Sequence, residues 1–419
     1  MIAVPFIYFS FLSYLFYRRR RLIDMGMIIA FVYGMSGLFS ILIDVFSLRA
    51  RDSIYYTISA EATFAYCGLL TMCLLPIALN SHTAFRRLKP VSNPQILKLL
   101  AWFAVVWFIF TAILSWQNMM NVLTGDMEEY RRQMYADEGQ ESWMLVLPPP
   151  IRIVVAIVNS IFGCNWALIF LAFFSRFVQR LHPRFFFMFL LASLSGPMNG
   201  IIGANRSATA YWIMSLFGLY LLFRPYMPKQ EKRRFVLIAG TIVVLLITYL
   251  AAMTLARFGD REYGGDVSGT QGGLISYLGQ SFINFCCYFD TYEPPFYHLG
   301  IIFPFTFQYV LGIPSGGVII QEQMTELTGF ETGVFYTYIG QIIVGAGKVV
   351  AIAFCIVYSV YSSIILPRIV RSQYVSISSL YLYYALASVM FLGIFGHYYT
   401  SGTSTFGLIM MYLILRIIK

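Results

Sequence analysis

Apolar runs of about 20 residues recur along the whole chain, and they restrict its fold more than any other feature of the sequence. A bilayer core about 30 Å thick is crossed by roughly 20 apolar residues in a helix, which satisfies its own backbone hydrogen bonds in lipid. Of the 419 residues, 59% are hydrophobic and 11% are charged, too little polar surface for a water-soluble globule. The sequence therefore predicts an all-α polytopic membrane protein. It has about eleven transmembrane helices on this length rule, near residues 2–17, 24–46, 57–80, 97–117, 151–175, 185–204, 207–223, 235–256, 337–365, 374–396 and 402–418.

Lysines and arginines cluster in the short loops between alternate apolar runs. Such clusters mark cytoplasmic loops, because membrane insertion retains positive charge on that side. They include 18–21 after the first run, Arg368 and Arg371 before the tenth, and Arg416 with Lys419 after the last. This pattern predicts an N-terminus outside and a C-terminus inside. The net charge of +10 then faces anionic lipid, so no nucleic-acid partner is expected.

Two of the predicted external segments are long. One covers 118–150, and the larger covers 257–336, which is rich in glycine and aromatic residues. Its apolar stretch at 299–312 is too short to span, so a re-entrant or interfacial helix is expected there. The aromatic residues are expected to pack on the helices, with a sugar-binding platform as the alternative. The sequence therefore predicts one integrated membrane domain, with helices 1–8 over 1–256, the large loop over 257–336, and helices 9–11 over 337–419.

A few cations lie outside the cytoplasmic clusters and are candidates for binding an anion. Arg206 lies at the outer end of a tight helix-turn-helix, where apolar flanks direct it to a partner or a polar cavity. Arg257 and Arg261 lie one helical turn apart where the eighth run leaves the membrane, so both face the same side. Lys348 lies within the ninth run and either binds phosphate or snorkels to the interface. Guanidinium groups suit phosphate oxygens, and neutralisation of loop carboxylates is the alternative.

Several enzyme classes lack their basic sequence elements in this chain. GxxxxGK[ST], HExxH and GxSxG motifs are all missing from the sequence, which argues against nucleotide hydrolysis, zincin proteolysis and a serine-hydrolase elbow. The cysteines show no spacing typical of metal ligands. We therefore expect neither a metal nor a cofactor.

Three short segments carry a resemblance to a known family. They are the Gly-Ala-Asn-Arg-Ser turn at 203–207, the pair Arg257 and Arg261 at the start of the large loop, and the stretch at 332–340, which is followed by further glycines. Together with the helix layout and the single dominant loop late in the chain, they resemble the bacterial O-antigen and oligosaccharide repeat-unit polymerases.

The resemblance implies a GT-C-like architecture and metal-independent glycosyl transfer at the periplasmic face of the bacterial inner membrane. Such enzymes move a growing glycan from undecaprenyl pyrophosphate onto the next lipid-linked repeat unit. The implied partners are these lipid-linked oligosaccharides, membrane lipids, a chain-length regulator and a flippase. The residues expected to hold the pyrophosphate are Arg206, Arg257, Arg261 and Lys348, and those expected to bind substrate are Asn205 and Tyr338.

The acceptor hydroxyl needs a general base in such a reaction. The leading candidates are Glu61, in the outer half of the third run, and His298 and Glu322 in the large loop, with Asp290 and Glu326 as further carboxylates. For Glu61, a helix–helix hydrogen bond through a protonated carboxyl is an equal alternative.

Rival functions share the same membrane class. An O-antigen ligase would differ in its acceptor, and a lipid-linked oligosaccharide flippase or transporter would be expected to show repeated halves. A membrane-bound acyltransferase needs a histidine in a polar membrane setting, a role that His397 alone has the position to fill. The polymerase is the function that the sequence favours.

Overall fold

The computed structural model describes residues 1–48, 58–81, 85, 87–124, 149–202, 207–258, 269–291, 336–396, 398–400 and 402–419. Nearly all of these residues are helical, and the one β-pairing in this part of the chain is an isolated bridge between Leu88 and Val375. In chain order the helices are α1 (Val4–Arg20), α2 (Met25–Val45), α3 (Ala60–Asn80), α4 (Pro94–Leu114), α5 (Trp116–Thr124), α6 (Pro149–Ile161), α7 (Asn165–Phe177), α8 (Pro183–Ser193), α9 (Ser195–Ile202), α10 (Ser207–Phe223), α11 (Lys229–Phe258), α12 (Gly269–Thr291), α13 (Tyr338–Arg371), α14 (Ile377–Leu392) and α15 (Gly402–Ile417).

Six helical segments among the described residues are long and apolar enough to cross a membrane. They are Met25–Val45, Ala60–Asn80, Pro94–Leu114, Pro183–Ile202, Lys229–Ala252 and Tyr338–Arg371. Shorter apolar helices occupy Trp166–Phe177, Ile377–Leu392 and Ser404–Ile417. The predicted all-helical, membrane-compatible fold is therefore confirmed, whereas several other predicted runs form shorter or interrupted helices.

Side-chain caps fix where several of these helices begin. The Asp24 carboxylate accepts a hydrogen bond from the Met27 N–H at 2.9 Å, and the Ser59 hydroxyl accepts one from Ala62 at 3.0 Å. Asn93 caps α4 in the same way. Each cap satisfies an N–H group that has no partner within its own helix, which localises the helix start in the sequence.

The packed helices form two compact units that alternate along the chain. Unit 1 comprises Met1–Arg86, Phe258–Ser372 and Tyr383–Gly402, and therefore holds α1 to α3, α12, α13 and most of α14. Unit 2 comprises Arg87–Arg257, Gln373–Leu382 and Thr403–Lys419, with α4 to α11, the first turns of α14 and α15.

Small residues allow the helices of unit 1 to approach closely. A Cβ atom added to Gly37 of α2 would lie 2.6 Å from the backbone nitrogen of Phe6 in α1. One added to Gly279 of α12 would lie 2.5 Å from the carbonyl carbon of Phe39 in α2. The Ser40 hydroxyl donates to the Gly279 carbonyl at 2.6 Å. Close backbone contact with serine hydrogen bonds is typical of helices packed within a membrane.

Helix α12 lies in the segment that the sequence analysis assigned to the large loop. It packs against α2, α3 and α13. The rings of Phe282 and Phe285 lie 4.9 and 5.1 Å from that of Tyr66 in α3, and both phenylalanines are buried. These aromatic residues therefore belong to the core of unit 1, and the helix that carries them was not predicted.

Unit 2 contains an interruption where the sequence predicted one continuous span at 151–175. Helix α6 ends at Ile161 and α7 begins at Asn165. Gly407 of α15 lies against the gap, where an added Cβ would be 2.6 Å from the Ser160 carbonyl oxygen and 2.8 Å from the Cys164 nitrogen. The prediction of an unbroken helix was wrong, because an apolar run does not reveal where its backbone unwinds.

Candidate anion-binding site at a helix break

Helix α13 folds back on itself at Gly347. This glycine has φ 85° and ψ 165°, a backbone conformation that no helix contains and that residues with a Cβ rarely adopt. The Tyr338 ring lies 6.4 Å from the Phe354 ring. In a continuous helix the two Cα atoms would be about 24 Å apart at 1.5 Å per residue. Residues 338–346 therefore form a short limb that lies beside a longer limb, 348–371.

The predicted continuous span at 337–365 is therefore wrong, since the long limb by itself has the length of a membrane crossing. Residues 348–371 cover about 34 Å, against about 30 Å for the bilayer core. Arg368 and Arg371 lie in the last turn of this limb, and Lys348 is its first residue. The lysine and the two arginines thus lie at opposite ends of a membrane-length helix.

The short limb is anchored in the core of unit 1. The Tyr338 side chain is fully buried, and its hydroxyl donates to the Met390 sulfur at 2.9 Å. Its backbone N–H donates to the Gly393 carbonyl at 2.7 Å. The Thr337 hydroxyl caps the limb by accepting from the Gly340 N–H at 3.3 Å. These contacts place Tyr338, which was predicted to bind substrate, among core residues.

The long limb runs antiparallel to α14. The Tyr358 hydroxyl donates to the Leu386 carbonyl at 2.7 Å. Earlier in the limb, the Phe354 ring packs against the Tyr338 ring. The Tyr338 N–H donates to the carbonyl of Gly393, which directly follows α14. Contacts that advance in opposite directions along the two segments fix their relative orientation.

Helix α3 runs in the same direction as the long limb. Tyr33 of α2 donates to the Met390 carbonyl at 3.1 Å, and Tyr383 of α14 lies within electrostatic reach of Asp24, so α2 and α14 are parallel. Ser81, just after α3, accepts a hydrogen bond from the first turn of α2 at 3.3 Å, so α2 and α3 are antiparallel. Both α3 and the long limb are therefore antiparallel to α14.

Glu61 lies at the same end of unit 1 as Lys348. The Cys73 thiol of α3 donates to the Cys355 carbonyl of the long limb at 3.8 Å, which aligns the two helices. From that contact, at 1.5 Å per residue, Lys348 lies about 10 Å and Glu61 about 18 Å toward the same end. Lys348 and Glu61, both predicted to take part in the site, therefore lie toward the same end of unit 1, about 8 Å apart along the helix axis.

Asp290, the penultimate residue of α12, is an exposed carboxylate within electrostatic reach of Lys348. Partial burial raises the pKa of Asp290, and the nearby Lys348 ammonium lowers it in part. The Tyr288 ring of α12 packs edge-on at 5.6 Å against that of Tyr336, which precedes the short limb and so lies away from the reversal at Gly347. The break in α13 thus carries a cation whose charge reaches a carboxylate on a separate helix.

This arrangement suits an oxyanion such as phosphate. The first turn of the long limb carries backbone N–H groups without partners in that helix, and the helix dipole gives this end partial positive charge. Lys348 adds a full charge at the same point, a combination that helix-terminal phosphate sites use. Among the described residues, no group of three His, Cys, Asp or Glu side chains could hold a metal ion.

The other residues predicted for the site are not placed by the structure. Arg257 lies in the last turn of α11, but its side chain is not described. The remaining predicted residues and the re-entrant segment lie outside the described residues, namely Asn205, Arg206, Arg261, His298, Glu322, Glu326, His397 and 299–312.

Sequence reasoning missed the hairpin that positions Lys348. A signal was present in the run Gly345-Ala346-Gly347 directly before the lysine, because two glycines within an apolar stretch weaken a helix. The pattern alone still predicts one continuous run over 337–365, because a glycine within a helix and a glycine at a reversal look the same in the sequence.

Across the described residues, the fold and this site define a nearly all-helical, membrane-compatible protein with a lysine at the fold-back of an interrupted helix. No family model, no curated protein and no solved structure matches the chain.

Proposed function

We propose that the chain is an integral membrane glycosyltransferase that joins undecaprenyl-pyrophosphate-linked oligosaccharide units into a surface polysaccharide. In this proposal it crosses the bacterial inner membrane about eleven times, has a GT-C-like architecture, and places its basic loops on the cytoplasmic side. The end of unit 1 that holds Lys348 and Glu61 then faces the periplasm. The pyrophosphate group of the lipid-linked donor would lie at this periplasmic end of unit 1.

The observation that carries the proposal is the position of Lys348 at the start of a membrane-length helix, opposite Arg368 and Arg371. Departure of a lipid pyrophosphate requires positive charge aimed at the phosphate oxygens. A preorganised donor of this kind is worth roughly 3–4 kcal/mol in a water-poor site, which corresponds to 100-fold to 1,000-fold in rate. Arg206, Arg257 and Arg261 are proposed to supply further charge, as the family resemblance implies.

The experiment replaces Lys348 by alanine in a strain that lacks the chromosomal gene, and analyses the surface glycan by gel ladder. Lys98→Ala is the matched control, because it removes the same charge from a half-buried position in a different helix. We expect Lys348→Ala to lose all bands above one repeat unit, while Lys98→Ala keeps the ladder. A normal ladder in the Lys348 variant, with both proteins equally inserted, would refute the proposal.

A second function, transport or flipping of the lipid-linked units, is favoured by a different observation. Two membrane-compatible stretches are interrupted, one at Gly347 and one between α6 and α7, and secondary transporters build binding sites from such broken helices. The same deletion strain separates the alternatives. Accumulation of lipid-linked units at the cytoplasmic face indicates a flippase, and loss of all attachment to lipid A indicates a ligase.

A further inference from the structure

A set of exposed cations lies on the ends of four helices in unit 2. One follows α7, one lies in the first turn of α8, one directly follows α10, and the others lie in the first two turns of α11. These residues form the cationic cluster: Arg180, Arg184, Arg224, Lys229, Lys232, Arg233 and Arg234. All are exposed except Lys232, which is half-buried.

Aromatic packing brings the four helix ends together. The Phe173 ring of α7 stacks on that of Phe223, the last residue of α10, with ring centroids 5.5 Å apart. It also packs edge-on against Phe186 of α8 at 5.8 Å and against Phe235 of α11 at 5.0 Å. All four rings are buried. The cationic cluster is therefore assembled by tertiary packing from separate loops.

The positive charge of the cluster is not neutralised within the described part of unit 2. Glu231 is the one acidic side chain there, and both of its carboxylate oxygens accept hydrogen bonds from the Arg176 guanidinium. No ion pair among these residues involves a member of the cluster. Membrane insertion explains why such loops are basic, but it does not require that their helices pack at one point. The cluster therefore offers its charge to an anion outside the chain.

Arg180 occupies a backbone conformation that glycine adopts more easily. Its φ is 55°, in the left-handed region. The turn is held by its neighbour, because the Gln179 side chain accepts from the Val91 N–H at 2.7 Å and donates to the Val91 carbonyl at 3.1 Å. Glycine at position 180 would remove a cation and relieve the backbone at the same time.

Apolar surface adjoins the cluster on two of its helices. Val236 and Leu237 of α11 directly follow Arg234, and Phe187 of α8 lies three residues after Arg184; these apolar side chains are exposed. Charge beside exposed apolar surface suits an amphiphile better than a free anion. Packed helices lie about 8–10 Å apart, so cations on neighbouring helix ends can contact two phosphates of one headgroup. The second contact is then intramolecular and adds affinity.

We propose that the cationic cluster binds an anionic phospholipid whose headgroup carries two phosphates, of the diphosphatidylglycerol class, on the cytoplasmic side of the membrane. Basic pockets between transmembrane helices on that side recognise such headgroups. This site goes beyond the proposed glycosyl transfer and does not depend on it.

The test titrates the full chain in detergent micelles with diphosphatidylglycerol and follows binding by native mass spectrometry. Phosphatidylglycerol, with one phosphate, undecaprenyl pyrophosphate and free inorganic pyrophosphate are titrated in parallel. The variants are Arg180→Gly and the double substitution Arg224→Gln with Arg233→Gln. The matched control is Arg18→Gln with Arg19→Gln, which removes two exposed cations from the last turn of α1 in unit 1.

Each cation near an anionic lipid contributes about 5-fold to affinity, so the double variant should bind diphosphatidylglycerol about 25-fold more weakly than the wild type. Arg180→Gly should bind about 5-fold more weakly while melting no lower than the wild type without lipid. The control should bind as the wild type does. Equal affinity of the wild type for one-phosphate and two-phosphate phospholipids would overturn the proposal. So would tighter binding of undecaprenyl pyrophosphate or of free pyrophosphate, unchanged affinity in both cluster variants, or equal weakening in the control.

Discussion

Replacement of Gly347 by alanine tests the fold-back of α13 directly. At φ 85° and ψ 165° the residue occupies a region that is essentially restricted to glycine, and a side chain there costs roughly 1–3 kcal/mol. That cost corresponds to a 5-fold to 150-fold shift in the equilibrium between folded and unfolded protein. The hairpin cannot relieve the strain by straightening, because Tyr338 is fixed by hydrogen bonds to Met390 and Gly393.

The measurement is the free energy of unfolding in mixed micelles, with Gly68→Ala as the matched control. Gly68 lies in α3, and a Cβ added there meets no atom within 4 Å. Alanine at such a helical position is expected to stabilise the protein by up to about 1 kcal/mol. Gly347→Ala should therefore be less stable than the wild type while Gly68→Ala is not. Equal stability of the two variants would refute the left-handed turn and the hairpin built on it.

Three further substitutions test the packing of the two units. Gly279→Ala should destabilise by more than 1 kcal/mol relative to Gly68→Ala, because the added Cβ would lie 2.5 Å from the backbone of α2, and a stable variant would contradict that approach. Asp24→Ala should cost roughly 3–5 kcal/mol in the same assay, since it leaves the buried Arg20 guanidinium, bonded at 2.6 Å, without its carboxylate; an effect below 1 kcal/mol would show that the pair is solvated. Gly407→Ala should lower thermal stability by crowding a carbonyl 2.6 Å away in the interruption of unit 2, and an unchanged melting temperature would count against the close contact.

The helical class and the position of most helices followed from the apolar runs, whereas the interruptions did not. Hydropathy reports whether residues prefer lipid or water, and residues on both sides of Gly347 prefer lipid. The direction of the backbone depends on one pair of dihedral angles at that glycine. The break between α6 and α7 was missed for the same reason, because it is stabilised by contact with Gly407, which is distant in sequence.

Helix α12 was missed for the opposite reason. Its sequence is rich in glycine and polar residues, such as Gly272, Gly273, Ser281 and Asn284, which lower its hydropathy and suggest a loop. All four are buried against other parts of unit 1. A helix surrounded by helices gains more from close backbone approach than from large apolar side chains, so its composition differs from that of a lipid-facing helix. Asp290 was named as a candidate base within a predicted loop, and the structure places it in the last turn of this helix.

The fold-back also resolves a conflict that the sequence contains. In a continuous span at 337–365, Lys348 would lie near the middle of the bilayer, where a lysine costs about 2.5–3.5 kcal/mol or more. With the reversal at Gly347, the same lysine becomes the first residue of a limb long enough to cross the bilayer, about 34 Å from Arg371 at the helical rise per residue. The cost of embedding the charge is thereby avoided, and its position at a helix start follows from the same glycine. The fold-back therefore accounts for a lysine within an apolar run, and Lys348→Ala tests the anion that we propose for it.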